Sequence, residues 1–168
     1  MSRWQAEQQQ DAVADLFAEV YPGTASGEPY DRPAFLRRFT ADTRRPGFDM
    51  VVASERRITG AAYGYVLDRY DDPWRDVDGE LPPRARELTA SGQVFTLAEL
   101  MVLPDFRRQG IATRLIGQLV LRSNAALFTV RVGADADAAH HALRAWGWTR
   151  VGDLQPSTQL WTRVRATR

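Results

Sequence analysis

The residues that most constrain this chain run from Phe95 to Val120. Phe95-Thr-Leu-Ala-Glu-Leu-Met-Val-Leu is dense in apolar and strand-forming residues, and Pro104 stops it. Asp105-Phe-Arg-Arg-Gln-Gly follows, and then Ile111, Leu115, Ile116, Leu119 and Val120 fall on one side of a helix expected over 108–122. Helix starts of this kind expose unpaired amide N–H groups and the positive end of the helix dipole, and both stabilise a bound phosphate. Gly110 lets the backbone approach an anion, and Ala112 keeps the next turn free of bulk. Arg107 and Arg108 can add charge-assisted bonds. By its chemistry the stretch is a diphosphate cradle.

The other segments supply a sheet for that strand to join. Ala6, Val13, Leu16, Phe17 and Val20 have helical spacing over 6–20, and the pattern stops at Tyr21-Pro22-Gly23. Asp31 is placed to cap a second helix with Pro33 in its first turn and Phe35, Leu36 and Phe39 on one face, ending near Arg45-Pro46-Gly47. The period then changes: 48–54 and 58–67 read as an antiparallel hairpin. Residues 68–92 hold three prolines, two glycines and several acids, which reads as a disordered connection or a specificity loop with a short helix near 82–90. A strand over 127–132, a helix over 135–146 and strands from 148 and over 159–164 complete the order. We expect one domain over 1–168 of mixed α/β (α+β) class, with a mixed, mostly antiparallel sheet of about six strands flanked by about four helices.

Composition closes off several functions. With 22 basic and 21 acidic residues in 168, the formal charge of +1 argues against a nucleic-acid partner. No cysteine and only two histidines, His140 and His141, leave little for a metal site or a cysteine or Ser-His-Asp nucleophile, so no metal is expected. No apolar run is long enough for a membrane span, and residues 1–20 are too polar for a secretory signal. The expectation is a cytoplasmic protein with no membrane partner.

The cradle is not a common nucleotide loop. The chain has no lysine, which a Walker loop needs, and Gly110 alone does not meet the dinucleotide fingerprint. Arg107, Gly110 and Ala112 instead match Arg/Gln-x-x-Gly-x-Gly/Ala, and the segment resembles the acyl-CoA signature of the GNAT superfamily of N-acetyltransferases. The preceding Leu-x-Val, the helix after it, the strand at 127–132 and the pair Gly147-Trp148 fall where that superfamily has them; the likeness is good over 95–152, plausible over 48–67 and poor elsewhere. It implies a GNAT-like fold in which strands 95–104 and 127–132 separate after their first residues. It implies acetyl-CoA as co-substrate, with backbone groups of Met101 and Val102 on the pantetheine and thioester, and the diphosphate on the amides of Arg107, Arg108, Gln109, Gly110, Ile111, Ala112 and Thr113. The implied activity is transfer of an acetyl group to a primary amine of a small molecule, or of a peptide or protein, by direct attack in a ternary complex.

An attacking amine must first lose a proton. Glu99 is the acid within the strand expected beside the thioester, and burial there would raise its pKa, which makes it the candidate base. Strict alternation puts Glu99 with Leu97 and Met101, whereas a bulge would reverse its face, and both are open; so is a plain ion pair with an arginine of the sheet such as Arg131. The superfamily's usual tyrosine acid, a few residues before the Gly-aromatic pair, is replaced by Leu143. His140 and His141 lie one turn earlier, and solvent can also protonate a thiolate. Asp68 to Glu80 with Tyr70 and Trp74 would suit a cationic amine, and Tyr21, Tyr30, Tyr63 and Tyr65 are further candidates for an acceptor cleft. The alternatives are a non-catalytic acyl-CoA-binding module, motivated by Leu143, and a partner-binding or homodimer-forming domain that uses the C-terminal strand with Trp161 as anchor. The superfamily usually opens with a strand, which here is expected to be short or lost.

Overall fold

A computed structural model describes residues 1–22 and 31–166. Its elements are α1 (Arg3–Gln8), α2 (Gln10–Val20), α3 (Arg32–Thr43), β1 (Asp49–Ser54), β2 (Ile58–Val66), β3 (Asp78–Gly79), α4 (Ala85–Ala90), β4 (Val94–Val102), a 3-10 turn (Pro104–Phe106), α5 (Ile111–Arg122), β5 (Leu127–Gly133), α6 (Asp137–Ala145), β6 (Thr149–Leu154) and β7 (Thr158–Val164). The strands hydrogen-bond in the order β1-β2-β4-β5-β7-β6-β3. The ladder of β4 with β5 is parallel, and those of β1–β2, β3–β6, β5–β7 and β6–β7 are antiparallel. This is the mixed, mostly antiparallel sheet expected from the sequence. It has one strand more than expected, the two-residue β3; the first helix splits at Gln9, and the short helix read near 82–90 forms as α4. No helix among the described residues is long and apolar enough to cross a membrane.

The described chain divides into two compact units. The first comprises Met1–Tyr65 and Glu99–Ser123. Its helical start lies earlier than the apolar period indicates because Ser2 and Gln5 form a reciprocal capping box, with the Ser2 amide donating to Gln5 Oε1 at 2.9 Å. No strand precedes α1 among the described residues; instead the Met50 amide donates to the Met1 carbonyl at 3.4 Å. Asp31 caps α3 as expected, its Oδ1 accepting from the Ala34 amide at 3.0 Å. An aromatic row forms this unit's core: Phe17 stacks on Phe35 at 4.4 Å, Phe35 on Phe39 at 5.8 Å, and Phe39 meets Tyr63 edge-on at 5.1 Å. Ile111, Leu115, Ile116 and Leu119 are the buried face of α5.

Gly60 on β2 sets how closely that helix approaches the strand. A Cβ there would lie 3.1 Å from the Met101 carbonyl oxygen and 3.2 Å from both Ile111 Cγ2 and Leu115 Cδ1. The first turn of α5 therefore rests on β2 backbone rather than on a side chain, which fixes where the helix begins.

The second unit comprises Val66–Ala98 and Asn124–Arg168. The parallel ladder pairs Val94 with Leu127, Phe95 with Phe128, Thr96 with Thr129 and Leu97 with Val130, and ends there among the described residues. On its other edge β5 continues against β7 as far as Gly133↔Thr158. Helix α6 closes on Gly147, with the Trp148 amide donating to the Leu143 carbonyl at 2.9 Å and the Gly147 amide to Arg144 at 3.1 Å. Both side chains at that stop, Leu143 and Trp148, are buried. Within 68–92, Trp74 is buried and its Nε1 donates to Thr89 Oγ1 at 2.8 Å, so this segment is pinned to α4 rather than loose.

The packing yields a two-sided stability prediction. Gly60→Val should destabilise the fold by about 1–3 kcal/mol through overpacking against Ile111 and Leu115. Gly117→Ala, in the same helix at a position where an added Cβ meets nothing within 4 Å, should stabilise it by about 0.5–1 kcal/mol. Thermal melts of the two variants should move in opposite directions.

Candidate active site

Within the first unit, the end of β4 brings Glu99 to groups from three other elements. Arg38 projects from α3 three residues after Phe35, and its Nη2 donates to Glu99 Oε1 at 3.1 Å. The Glu99 side chain is 16% exposed and that of Arg38 50%. The guanidinium carbon of Arg38 lies 5.5 Å from the ring centroids of both Phe17 and Phe35. Tyr21, just after α2, is 45% exposed, and its hydroxyl is near enough to influence the Glu99 carboxylate. From β2, the Tyr63 hydroxyl is fully buried without a hydrogen-bond partner; Arg38 is near enough to influence it but outside bonding geometry.

Burial dominates the protonation of this group. It pushes the Glu99 carboxyl up to about 7; the positive charge of Arg38 opposes the rise, the nearby Asp42 carboxylate adds to it, and the Tyr21 hydroxyl opposes it. Burial likewise pushes Tyr21 up to about 12, with the Glu99 charge adding to the rise and Arg107 and Arg38 opposing it. The Tyr63 phenol is raised by burial first and then by Glu99 and Asp42. Asp42 itself is raised by burial against the pull of Arg38 and Arg45. A carboxyl titrating near neutrality can both accept and release a proton at physiological pH. The ion pair considered for Glu99 therefore exists, but with Arg38 of α3; Arg131 is exposed on β5.

The cradle follows β4 in the same unit. After the 3-10 turn, Arg107 is extended, and Arg108 (φ 65°) and Gly110 (φ 75°) are both left-handed before α5 begins at Ile111. The left-handed state costs a residue such as Arg108 about 1–2 kcal/mol, and strain of this kind gathers at ligand sites. No side chain caps α5 at Gly110, so the helix start meets its protein environment without the usual Ser, Thr, Asp or Asn acceptor. Residues 107–110 are exposed, Ile111 is buried, and Thr113 is exposed.

Two residues of the cradle differ in detail from the sequence expectation. Arg107 Nε donates to the Val102 carbonyl at 3.1 Å, so that nitrogen braces the turn and that carbonyl is engaged. Arg114, which was not singled out, sits beside the loop with Nη1 donating to the Gln109 carbonyl at 3.3 Å. Its place one turn into the helix was the available signal. Arg38 and Asp42 were also missed, although they share a helix face at i, i+4 next to Phe35 and Phe39.

Several other sequence candidates have structural employment. Leu143 is buried in α6. His140 is buried too, its Nε2 2.9 Å from the Gly133 carbonyl oxygen and its ring stacked 5.5 Å from Trp161, while His141 is exposed. Trp161 is 1% exposed with Arg144 over its ring at 5.2 Å, which makes it a core residue and removes it as a surface anchor. Trp74 is buried and unavailable for stacking on an acceptor, whereas Tyr70 is exposed. Tyr65 holds Arg45 over its ring at 4.6 Å. Tyr30 lies outside the described residues.

Comparison with known proteins places these features in a family. The fold is similar to that of the PaiA N-acetyltransferase of Thermoplasma acidophilum, solved with coenzyme A, at TM-score 0.65 and 9% identity over 98% of this chain and 96% of that one. It is similar to AAC(6')-Iy solved with the bisubstrate analogue CoA-S-monomethyl-acetylneamine, at TM-score 0.62 and 16% identity over 88% of each chain. A third similar structure is the ribosomal-protein-S18-alanine N-acetyltransferase of Escherichia coli, at TM-score 0.60 and 11% identity over 96% of this chain and 90% of that one. At these identities the likeness is one of fold. No curated protein sequence matches the chain. The model of the acetyltransferase (GNAT) family, however, matches residues 10–148, so the chain belongs to the GNAT family of acetyltransferases and is an acyltransferase.

Proposed function

We propose that this protein transfers an acetyl group from acetyl-CoA to a primary amine of a small molecule, or of a peptide or protein, by direct attack in a ternary complex, with residues 1–168 acting as one acetyltransferase domain. The observation that carries the reading is the exposed start of α5, which has no side-chain cap and follows two left-handed residues, Arg108 and Gly110. Such a start fits a diphosphate, whose charge it meets with first-turn amides and the helix dipole. Arg107, Arg108, Gln109, Gly110, Ile111, Ala112 and Thr113 would hold it, with Arg114 close by. Backbone groups of Met101 and Val102 would hold the pantetheine and the thioester carbonyl; the end of the β4–β5 ladder at Leu97 supports this, since beyond it β4 spends no ladder bonds on β5. Bound acetyl-CoA would supply an acyl group open to attack by an amine.

The chain's own task is then to move protons. An aliphatic amine of pKa about 10 is mostly an ammonium at neutral pH and cannot attack. Glu99, with its carboxyl near 7, is the group we assign as base: it takes one proton from the ammonium and afterwards yields it to solvent. A thiol of pKa about 8.5 leaves without a strong acid, so Leu143 in the tyrosine's place is compatible with turnover. Among neighbours of this fold, one was solved with an aminoglycoside-type bisubstrate analogue and one is named for a protein alanine, so the acceptor amine is supported as a class. Tyr21, whose hydroxyl influences the Glu99 carboxylate, is the residue we assign to border that amine.

Two outcomes test this. Gly110→Trp puts a bulky side chain and a disfavoured left-handed φ into the cradle, and titration calorimetry should show acetyl-CoA affinity falling by more than about tenfold; unchanged affinity would remove the cradle. In an amine-panel assay of CoA release, Glu99→Gln should lower kcat by about 100-fold or more with acetyl-CoA still bound. The parent enzyme's kcat/KM should fall as pH drops through about 7, because a base must be deprotonated and Glu99 is protonated below that point. A parent profile without this acid limb would exclude Glu99 as the base.

A further inference from the structure

Glu99 stands in surroundings that favour its neutral form, which is the wrong form for a base. It is largely enclosed, and a second carboxylate, Asp42, acts on it from α3. The groups facing it are Arg38 and Asp42 from α3, the Tyr21 hydroxyl from the end of α2 and the Tyr63 hydroxyl from β2; Arg107 acts on Tyr21, and Arg45 on Asp42. Tyrosine hydroxyls can donate but carry no positive charge. Among the described residues, the cation hydrogen-bonded to Glu99 is Arg38.

That arginine is fixed from two sides. Its Nη2 bonds Glu99 Oε1 at 3.1 Å, and its guanidinium carbon sits 5.5 Å from both Phe17 and Phe35, rings that stack on each other at 4.4 Å. A planar, weakly hydrated cation can lie against aromatic rings and bond a carboxylate at once, which a flexible ammonium does less well. The aromatic pair is in turn the beginning of the row through Phe39 to Tyr63, so the half-exposed guanidinium lies against rings that continue into the core of the unit.

We propose that Arg38 is a positioning residue for proton removal, a built-in counterion braced on Phe17 and Phe35 that keeps Glu99 ionised in its enclosed position. The proposal rests on Glu99 being the base. The step it serves is balanced: one proton passes from the acceptor ammonium to the Glu99 carboxylate, giving a free amine and a carboxylic acid, and the acid returns the proton to solvent.

The test reads the carboxyl itself. In protein labelled with carbon-13 at glutamate side-chain carboxyls, the Glu99 resonance is identified by its loss in Glu99→Gln and followed through a pH titration by NMR. Arg38→Met keeps a stem against Phe17 and Phe35 and removes the charge, and should raise the Glu99 midpoint by about 1 unit or more. Arg38→Lys keeps the charge and should leave it within about half a unit of the parent. The acid limb of kcat/KM should move with the midpoint in each variant. An unchanged or lowered midpoint in Arg38→Met overturns the proposal, and Arg38→Gln is read by the same criterion if the methionine variant does not fold. Because the titration needs no turnover, failure of the acetyltransferase reading would show as absent CoA release across the amine panel, whereas failure of the counterion role would show as an immobile Glu99 midpoint.

Discussion

The site we propose depends on how α5 is seated. At Gly60 the strand offers bare backbone, and Ile111 and Leu115 come down onto it; a single methyl there would already crowd both side chains and the Met101 carbonyl. Seating the helix so close fixes the position of its first turn relative to the end of β4. In the exposed turn in between, Arg108 and Gly110 take left-handed conformations and Arg107 braces back onto Val102. No side chain caps this helix start, so its first-turn amides keep their capacity for an anion.

The same unit carries the second requirement, a group that can handle a proton. Here a hydrophobic core and a polar site share residues. Phe17 and Phe35 bury surface against the row that leads to Tyr63, and they also flank the guanidinium of Arg38. Glu99 is enclosed by that packing and its carboxyl is brought to about 7, with Arg38 and Tyr21 limiting the rise. Enclosure alone would leave a neutral acid, and full exposure an ordinary carboxylate with little affinity for a proton at neutral pH. The balance between desolvation and one arginine is what would suit the residue to the role of base that we propose for it.

Much of this was legible in the sequence wherever independent signals coincided. Pro104, Gly110 and a change from strand to helix period all fall within one stretch, so the strand, turn and helix could be read together, and Asp31 with Pro33 announced α3. Signals that reside in backbone geometry were not legible. Strand β3 is two residues long and pairs through glycines: a Cβ on Gly79 or on Gly152 would lie 2.0 Å from a backbone oxygen opposite, an approach with no side-chain pattern to betray it. The break at Gln9 carries no apolar signature. An ion pair was one of the readings left open for Glu99, with a sheet arginine as the example, and Arg38 was not considered because it is distant in the chain and lies on a helix face read only for its phenylalanines. Trp74 and Trp161 were candidates for contact with an acceptor and with a partner, whereas the fold spends both on its interior.

The central claim is that the amides opening α5 receive the diphosphate of coenzyme A. Its most direct measurement is a nitrogen-proton NMR titration of the parent protein with coenzyme A and, in parallel, with pantetheine, which lacks the diphosphate. The account predicts saturable shifts at the amides of Gly110, Ile111, Ala112 and Thr113 with coenzyme A and little change there with pantetheine. Saturation by coenzyme A with those four amides unmoved would contradict it.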